Sequence, residues 1–238
     1  MESQIFWNEI ENLRKNHKGT FRITWLNHYS ITRIPFFTLG HFQTLLIDGT
    51  LLQIALKLKS HKFSRTSADL VLPAFFSNQV NTRYLVIGGA EGESNLLMQS
   101  YNLQGIGMNG YDELKKLDFK EIQELILREA ITVVIIGLGP GLQEQVSLQM
   151  PEVDGLLVIT CGGWIGQSAS KKNYFGVYWH RFRLGWLLRI LHEPRRLLRR
   201  YTLGALYFVL NSRTLLSCLE SHSNFEFEFG FITMKELP

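Results

Sequence analysis

The chain has 238 residues and a formal net charge of +4; 45% of its residues are hydrophobic and 19% are charged, which suits one large globular domain or a domain with an appendage. Its two cysteines, Cys161 and Cys218, are too few for a disulfide framework and lack the spacing of a zinc site. Because no apolar stretch reaches the roughly 18 to 20 residues that span a bilayer, and because the first residues lack the pattern of a secretory signal, we expect a cytosolic chain.

The N-terminal third of the chain contains one clear strand pattern and one clear helix pattern. Phe21–Asn27 predicts a strand that ends in polar residues, and Leu51–Leu58 predicts a helix. Between them, the apolar segment Phe42–Gly49 ends on Asp48 and Gly49. An Asp-Gly pair after an apolar run is most often a turn, although an aspartate at the mouth of a parallel sheet also suits a general base. Taken alone, this dipeptide favours the turn.

The middle of the chain alternates short β-branched runs with helix-like stretches. Asp118 is a plausible N-cap for one of these helices, which carries apolar residues at helical spacing. The order strand–helix–strand predicts an α/β fold, with a Rossmann-like parallel-sheet layered domain. The predicted strands are Tyr84–Gly89, Gly105–Met108, Ile131–Gly137 and Gly155–Thr160.

Two glycine-rich turns follow predicted strands in this region. Gly137, Gly139 and Gly141 give G-x-G-x-G, whereas a dinucleotide site needs G-x-G-x-x-G, so dinucleotide binding is not favoured. The turn at Gly88 and Gly89 lacks the Gly-Lys-Ser/Thr of a P-loop. From local spacing alone, both are strand-to-helix turns.

The histidines and acidic residues do not form a metal-binding pattern. The seven histidines have no paired spacing with Cys or Asp. The nearest match to a D-x-D carboxylate pair is Glu152-Val-Asp154, which is better interpreted as a solvated turn. We therefore expect no metal and no cofactor.

After residue 170 the sequence becomes strongly basic. Residues 171–201 contain nine Lys or Arg and one acidic residue, a net +8, whereas the rest of the chain carries 16 basic and 20 acidic residues. Trp179, Trp186 and Tyr201 are interleaved with the arginines, and Pro194 is placed to begin a helix. Such a segment favours a phosphate-bearing ligand or a membrane surface over nucleic acid. We divide the chain into an α/β core, residues 1–170, and a C-terminal basic helical appendage, residues 171–238, in which the segment 219–238 receives no role.

Six collinear motifs together resemble one known family. They are "LLIDG", "SRTSADL", "YLVIGGAEG…NLQGIGMNGY", "GLGPGLQE", "CGG" and "RLGWLLRILHEPRRLLRRY". In this order they are similar to the motifs of bacterial glycosyltransferase family 26, typified by N-acetylmannosaminyltransferases. The resemblance covers most of the chain.

The resemblance implies transfer of a sugar, with inversion, from a UDP-sugar to a polyprenyl-diphosphate-linked sugar at the inner face of the cytoplasmic membrane. It also implies an anionic membrane surface as a partner, no metal, and a role in cell-surface polysaccharide synthesis; a homo-oligomer is compatible with the sequence. It places Asp48 as the base, with Arg65, Asn27, Thr24 and Gln143 as catalytic residues. The residues implied for binding the UDP-sugar and its diphosphate are Gly88, Gly89, Gly139, Gln143, Glu144, Gly162, Gly163, Arg189, Arg196 and Arg199.

Two other functions remain open at this point. Leu142, Gly166 and Gly185 differ from the family pattern, which motivates a catalytically weakened paralogue that acts as a binding subunit of a polysaccharide assembly complex. An NAD-type enzyme is the other alternative, and the glycine spacing does not support it.

Overall fold

A computed structural model describes residues 2–61, 66–78, 81–110, 118–170, 194–226 and 231–234, and its central feature is one eight-stranded sheet. The strand order is β4-β3-β5-β6-β1-β2-β8-β7, and the first six of these strands run parallel. This arrangement confirms the predicted α/β, Rossmann-like fold. The strands are β1 Phe21–Leu26, β2 Thr44–Ile47, β3 Arg83–Gly88, β4 Gln104–Met108, β5 Val133–Gly137, β6 Leu157–Thr160, β7 Ser223–Glu226 and β8 Phe231–Met234.

The central strands are apolar along their whole length because both faces of the sheet are covered. On β5, Val133 and Ile135 pack into the core on one face, while Val134 and Ile136 pack on the other. Every residue of β1, β2, β5 and β6 is buried. Parallel strands between two helical layers show this continuous hydrophobic pattern, and it is what made them recognisable in the sequence.

Helices form a layer on each face of the sheet. Helices α1, α4, α5 and α8 cover one face; α3, α6, α7 and α10 cover the other. The helices are α1 Glu2–Asn16, α2 Phe36–Leu39, α3 Thr50–Leu58, α4 Ala68–Asn78, α5 Glu93–Tyr101, α6 Phe119–Arg128, α7 Leu142–Leu148, α8 Trp164–Ser170, α9 Pro194–Arg199 and α10 Ala205–His222, with a short 3₁₀ turn at Ser30–Thr32. None of the described helices combines the length and the apolarity that crossing a bilayer requires.

Two helix starts predicted from the sequence are confirmed. Asp118 caps α6: its carboxylate accepts a hydrogen bond from the Lys120 N–H at 3.4 Å, and the Glu121 carboxylate accepts one from the Asp118 N–H at 3.1 Å. This reciprocal capping satisfies two N–H groups that the helix itself leaves without partners. Pro194 is the first residue of α9, where a missing N–H costs nothing.

The C-terminal part of the chain packs back onto the α/β layers. Strand β8 pairs antiparallel with β2, and β7 pairs with β8, so both extend the sheet. Helix α10 is fastened near the end of α3, where Glu220 accepts from Lys59 Nζ at 2.7 Å and lies 2.8 Å from His61 Nε2. The predicted boundary at residue 170 stays a prediction, because the segment that follows it, 171–193, is outside the described ranges.

Candidate active site

A pocket that is open to solvent lies at the carboxyl ends of four adjacent strands, β5, β6, β1 and β2. Ligands of open parallel sheets bind at this edge, where the loops after several strands converge. The described lining residues that follow these strands include Asn27 and Ser30, Asp48, Gly139, Pro140 and Gln143, and Gly162 and Gly163; Arg200 joins them from the C-terminal part.

Asn27 and Asp48 stand side by side at the rim of the pocket. Leu26 and Ile47 are partners in the β1–β2 register, and the Asp48 N–H donates to the Leu26 carbonyl at 2.7 Å. The next residues on the two strands are therefore neighbours, about 5 Å apart. The Asn27 Oδ1 accepts from the backbone N–H groups two and three residues ahead, both at 3.0 Å, which fixes this side chain in a turn. The structure thus brings together two residues that come from different strands and were each predicted to be catalytic.

Glu144 is the centre of a buried hydrogen-bond network behind the pocket. Its Oε1 accepts from Thr24 Oγ1 at 2.9 Å and from Gln143 Nε2 at 2.7 Å, and its Oε2 accepts from the Gly141 N–H at 2.6 Å. Thr24 in turn accepts from Thr160 Oγ1 at 2.6 Å. Glu144 is fully buried. Burial raises the pKa of Glu144, against the opposing effect of the hydrogen bonds from Gln143, Thr24 and the backbone.

Gln143 connects this network to the pocket. Its Oε1 accepts from the Gly162 N–H at 2.9 Å, so the loop after β5 is tied to the turn after β6. A carboxamide has two N–H donors and two acceptor sites. The bonds to Glu144 and to Gly162 use one donor and one acceptor site of Gln143. Among the bonds between described residues, one donor and one acceptor of Gln143 therefore remain, on a side chain that is buried but lines the pocket. Thr24, by contrast, is fully buried and is not among the described lining residues.

The predicted glycines divide into two groups. Gly139, Gly162 and Gly163 line the pocket, and Gly139 has a φ of +87° that favours glycine. Gly88 and Gly89 end β3, which lies beyond β5, and neither is among the described lining residues.

The predicted arginines are mostly outside what the structure describes. Arg65 lies in 62–65 and Arg189 in 171–193, both outside the described residues, as is the side chain of Arg196 in α9. Arg199 is exposed at the end of α9. Its neighbour Arg200 lines the pocket. The sequence analysis included Arg200 only as a member of the basic run, because the family motifs match Arg199 and not its neighbour.

His28, which directly follows the lining residue Asn27, is a buried histidine that the sequence analysis did not single out. Its ring is buried beside Tyr201 and Phe208, with centroid distances of 5.6 and 6.3 Å. Burial and then the positive charge of Arg200 lower the pKa of His28 from 6.5 to about 4, although the Arg200 backbone and the Asp48 charge oppose this. Its position directly after Asn27, at the end of a predicted strand, was the available signal.

We predict that His28 makes the stability of the protein depend on pH between about 6.5 and 4. An unfolded histidine takes up a proton near pH 6.5, whereas the folded His28 stays neutral to about pH 4, so acidification in this window favours the unfolded chain. The free energy of unfolding should fall by at most about 3 kcal/mol across it. Urea unfolding of the wild type and His28→Gln at several pH values measures this.

The difference between the two curves cancels the contributions of other groups that titrate in this window. A His28→Gln curve that falls as steeply as that of the wild type would show that the histidine is not responsible.

In the part of the chain that the structure describes, no cluster of three or more His, Cys, Asp or Glu side chains is arranged to hold a metal ion. The pocket instead combines two carboxylates, Asp48 and Asp69, with amides and the guanidinium of Arg200. Such a set can accept a proton from a hydroxyl group and can bind an anion.

Comparison with known proteins connects this chain to one family. The model of the Glycosyl transferase WecG/TagA/CpsF family matches residues 7–221. The chain is also similar to the UDP-Gal:alpha-D-GlcNAc-diphosphoundecaprenol beta-1,4-galactosyltransferase of Shigella boydii, with 26% identity over 199 residues that cover 77% of this chain and 82% of that protein. These matches confirm the family resemblance drawn from the motifs.

Proposed function

The chain belongs to the WecG/TagA/CpsF family of glycosyl transferases, and we propose that it transfers a sugar, with inversion, from a UDP-sugar to a polyprenyl-diphosphate-linked saccharide. The product would enter a cell-surface polysaccharide. The observation that carries the proposal is the pair Asn27 and Asp48 at the rim of a pocket built from the carboxyl ends of the strands.

Inversion requires an attack on the anomeric carbon from the side opposite the departing diphosphate. The attacking hydroxyl must lose its proton as the new bond forms, and Asp48 is the proposed base. Asn27 lies beside it, held by its turn, and is placed to orient the same hydroxyl. On the other side of the pocket Gln143 offers a donor and an acceptor to the sugar or nucleotide. Arginines rather than a metal would stabilise the charge of the leaving UDP.

The proposed substrates are a UDP-hexose or UDP-N-acetylhexosamine and a lipid-diphosphate-linked N-acetylglucosamine. The named relative acts on UDP-galactose and GlcNAc-diphosphoundecaprenol, which supports both classes. Incubation of the purified protein with UDP-galactose, UDP-glucose, UDP-N-acetylglucosamine and UDP-N-acetylmannosamine, each with a short-chain lipid-diphosphate-GlcNAc, tests the proposal. One donor should give a disaccharide lipid whose new linkage has the inverted anomeric configuration.

The absence of product from every donor, with retained binding of the lipid acceptor, would instead support the binding-subunit alternative. One contact argues against a lost function at Gly166, one of the three positions that differ from the family pattern. A Cβ at Gly166 would lie 2.7 Å from Glu93 Oε2, so a carboxylate from α5 already occupies that space.

We further propose that the protein binds the inner face of the membrane peripherally. Large apolar side chains are exposed together after α9: Leu203 is 61% exposed, Leu206 and Tyr207 are each 57%, and Leu210 is 76%. The exposed Arg199 and Arg213 flank them. Apolar residues between basic ones suit the interface of an anionic bilayer.

Replacing Leu203 and Leu206 together by Gln should therefore lower the fraction of protein that floats with anionic vesicles, by about tenfold, because two leucines leave the acyl boundary. Leu127→Gln on α6 is a matched control, since Leu127 is 60% exposed on a different helix. Equal flotation of the double variant and the control would refute the proposal for this surface.

A further inference from the structure

Between α9 and α10 the helix widens into a π-helical turn, Arg200–Gly204. π turns inside helices are rare and are concentrated at functional sites. Here the turn follows directly on Arg199, which is exposed, and begins with Arg200, which is partly buried and lines the pocket. The turn therefore marks the point at which the basic run enters the site.

The aromatic ring of Tyr29 holds the guanidinium of Arg200. The Cζ of Arg200 lies 5.1 Å from the centroid of the Tyr29 ring, and the Cζ of Arg33 lies at the same distance from that ring. Arg200 is also 5.8 Å from the ring of Tyr201. A planar guanidinium stacks on aromatic faces in this way while its N–H groups stay directed outward. Tyr29 thus limits the orientations that Arg200 can adopt.

Gly204 allows the turn to approach Tyr29 closely. A Cβ at position 204 would lie 3.0 Å from Tyr29 Cδ2, which is tighter than ordinary packing contacts. The last residue of the π turn and its first residue, Arg200, therefore both contact the same ring. Tyr29 itself belongs to the turn that Asn27 fixes after β1. The position of Arg200 is consequently linked through Tyr29 to the residues proposed to act on the acceptor hydroxyl.

Arg200 is also the only cation among the described residues that line the pocket. The acidic lining residues, Asp48 and Asp69, would repel a phosphate, so a diphosphate in this pocket needs a compensating positive charge. An arginine fork supplies it with two parallel hydrogen bonds to phosphoryl oxygens.

We propose that Arg200 binds the diphosphate of a substrate in this pocket and that Tyr29 is its positioning residue. The inference rests on the proposed function. It assigns the diphosphate contact to a residue that the family motifs did not single out. Two diphosphates meet in the proposed reaction, that of the UDP-sugar and that of the lipid-linked acceptor, and both offer the same oxygens to Arg200.

Binding of UDP and of a short-chain lipid diphosphate, each measured alone by calorimetry, tests the proposal and distinguishes the two sources. Arg200→Ala should raise the Kd of one of these ligands by about 10- to 100-fold, the equivalent of a lost charge-assisted hydrogen bond. Arg200→Lys keeps the charge and the stem but loses the fork, so it should restore only part of the affinity. Arg128→Ala, an exposed arginine on α6, is the control.

The role of Tyr29 is tested with a conservative pair of variants. Tyr29→Phe keeps the ring face and should retain ligand affinity, whereas Tyr29→Leu should weaken binding by about three- to tenfold with an unchanged melting temperature. In steady-state assays the weaker binding of Tyr29→Leu should appear mainly as a higher KM for the substrate that carries the same diphosphate.

Wild-type affinity of Arg200→Ala for both ligands would overturn the inference but would leave the proposed transferase function intact. Equal affinities of Tyr29→Phe and Tyr29→Leu would overturn the positioning role. A wild-type protein that binds neither UDP nor the lipid diphosphate would overturn this inference together with the proposed function.

Discussion

Asp48→Asn is expected to lower kcat for sugar transfer by about 100- to 10,000-fold, the range that a general base contributes. Asparagine has nearly the same shape as aspartate, and the backbone bond from residue 48 to Leu26 does not depend on the side chain. The carboxamide, however, cannot accept the proton of the attacking hydroxyl. The effect should therefore appear in kcat and in the single-turnover rate, both measured with the donor that the screen of UDP-sugars identifies.

The Kd for UDP serves as the control for Asp48→Asn, because it reports donor binding without chemistry. It should change little or decrease, since the variant removes a negative charge from a pocket that receives an anion. A variant that retains wild-type kcat would show that another group takes the proton, and the assignment of the base would be wrong.

Glu144→Ala is expected to lower the free energy of unfolding by about 3 to 5 kcal/mol. The substitution leaves the Thr24 hydroxyl, the Gln143 amide and the Gly141 N–H without their acceptor in a fully buried site. Glu144→Gln fits the same space but turns an N–H group toward these donors. It should therefore lower the free energy of unfolding by less than Glu144→Ala does and by more than a substitution at an exposed position. Urea unfolding of both variants measures the difference.

Gln145→Ala is the matched control for Glu144→Ala, because Gln145 is the exposed next residue of the same helix. It should stay within about 0.5 kcal/mol of the wild type. If Glu144→Ala changes the free energy of unfolding as little as Gln145→Ala does, the hydrogen-bond network around Glu144 does not stabilise this edge of the sheet. Since burial raises the pKa of Glu144, its contribution to stability is largest below the pKa of the unfolded glutamate and declines as the pH rises through the higher folded value.

The sequence predicted the framework of the site well. The strand-end positions of Asn27, Asp48, Gly139 and Gly162 follow from where apolar runs stop, since the carboxyl ends of parallel strands meet at one edge. It could not predict that Glu144, named as a binding residue, is a fully buried acceptor, because burial depends on Thr24, which lies on a strand far earlier in the chain.

The C-terminal residues show the same limit. The segment 219–238 received no role from the sequence, because periodicity does not specify partners. The structure pairs its strand β8 with β2 from the N-terminal part of the chain.

By itself, then, the sequence determined the layered α/β class, five of the six parallel strands, the helices α3, α6 and α9, and the family, because periodicity, capping and collinear motifs are local properties of the chain. Only the tertiary structure decided which side chains share the pocket. The family motifs single out Arg199 and not Arg200, yet Arg199 is exposed and Arg200 lines the pocket. The physical reason is that a π turn and the ring of Tyr29, which comes from the turn after the first strand, together fix the direction of one arginine.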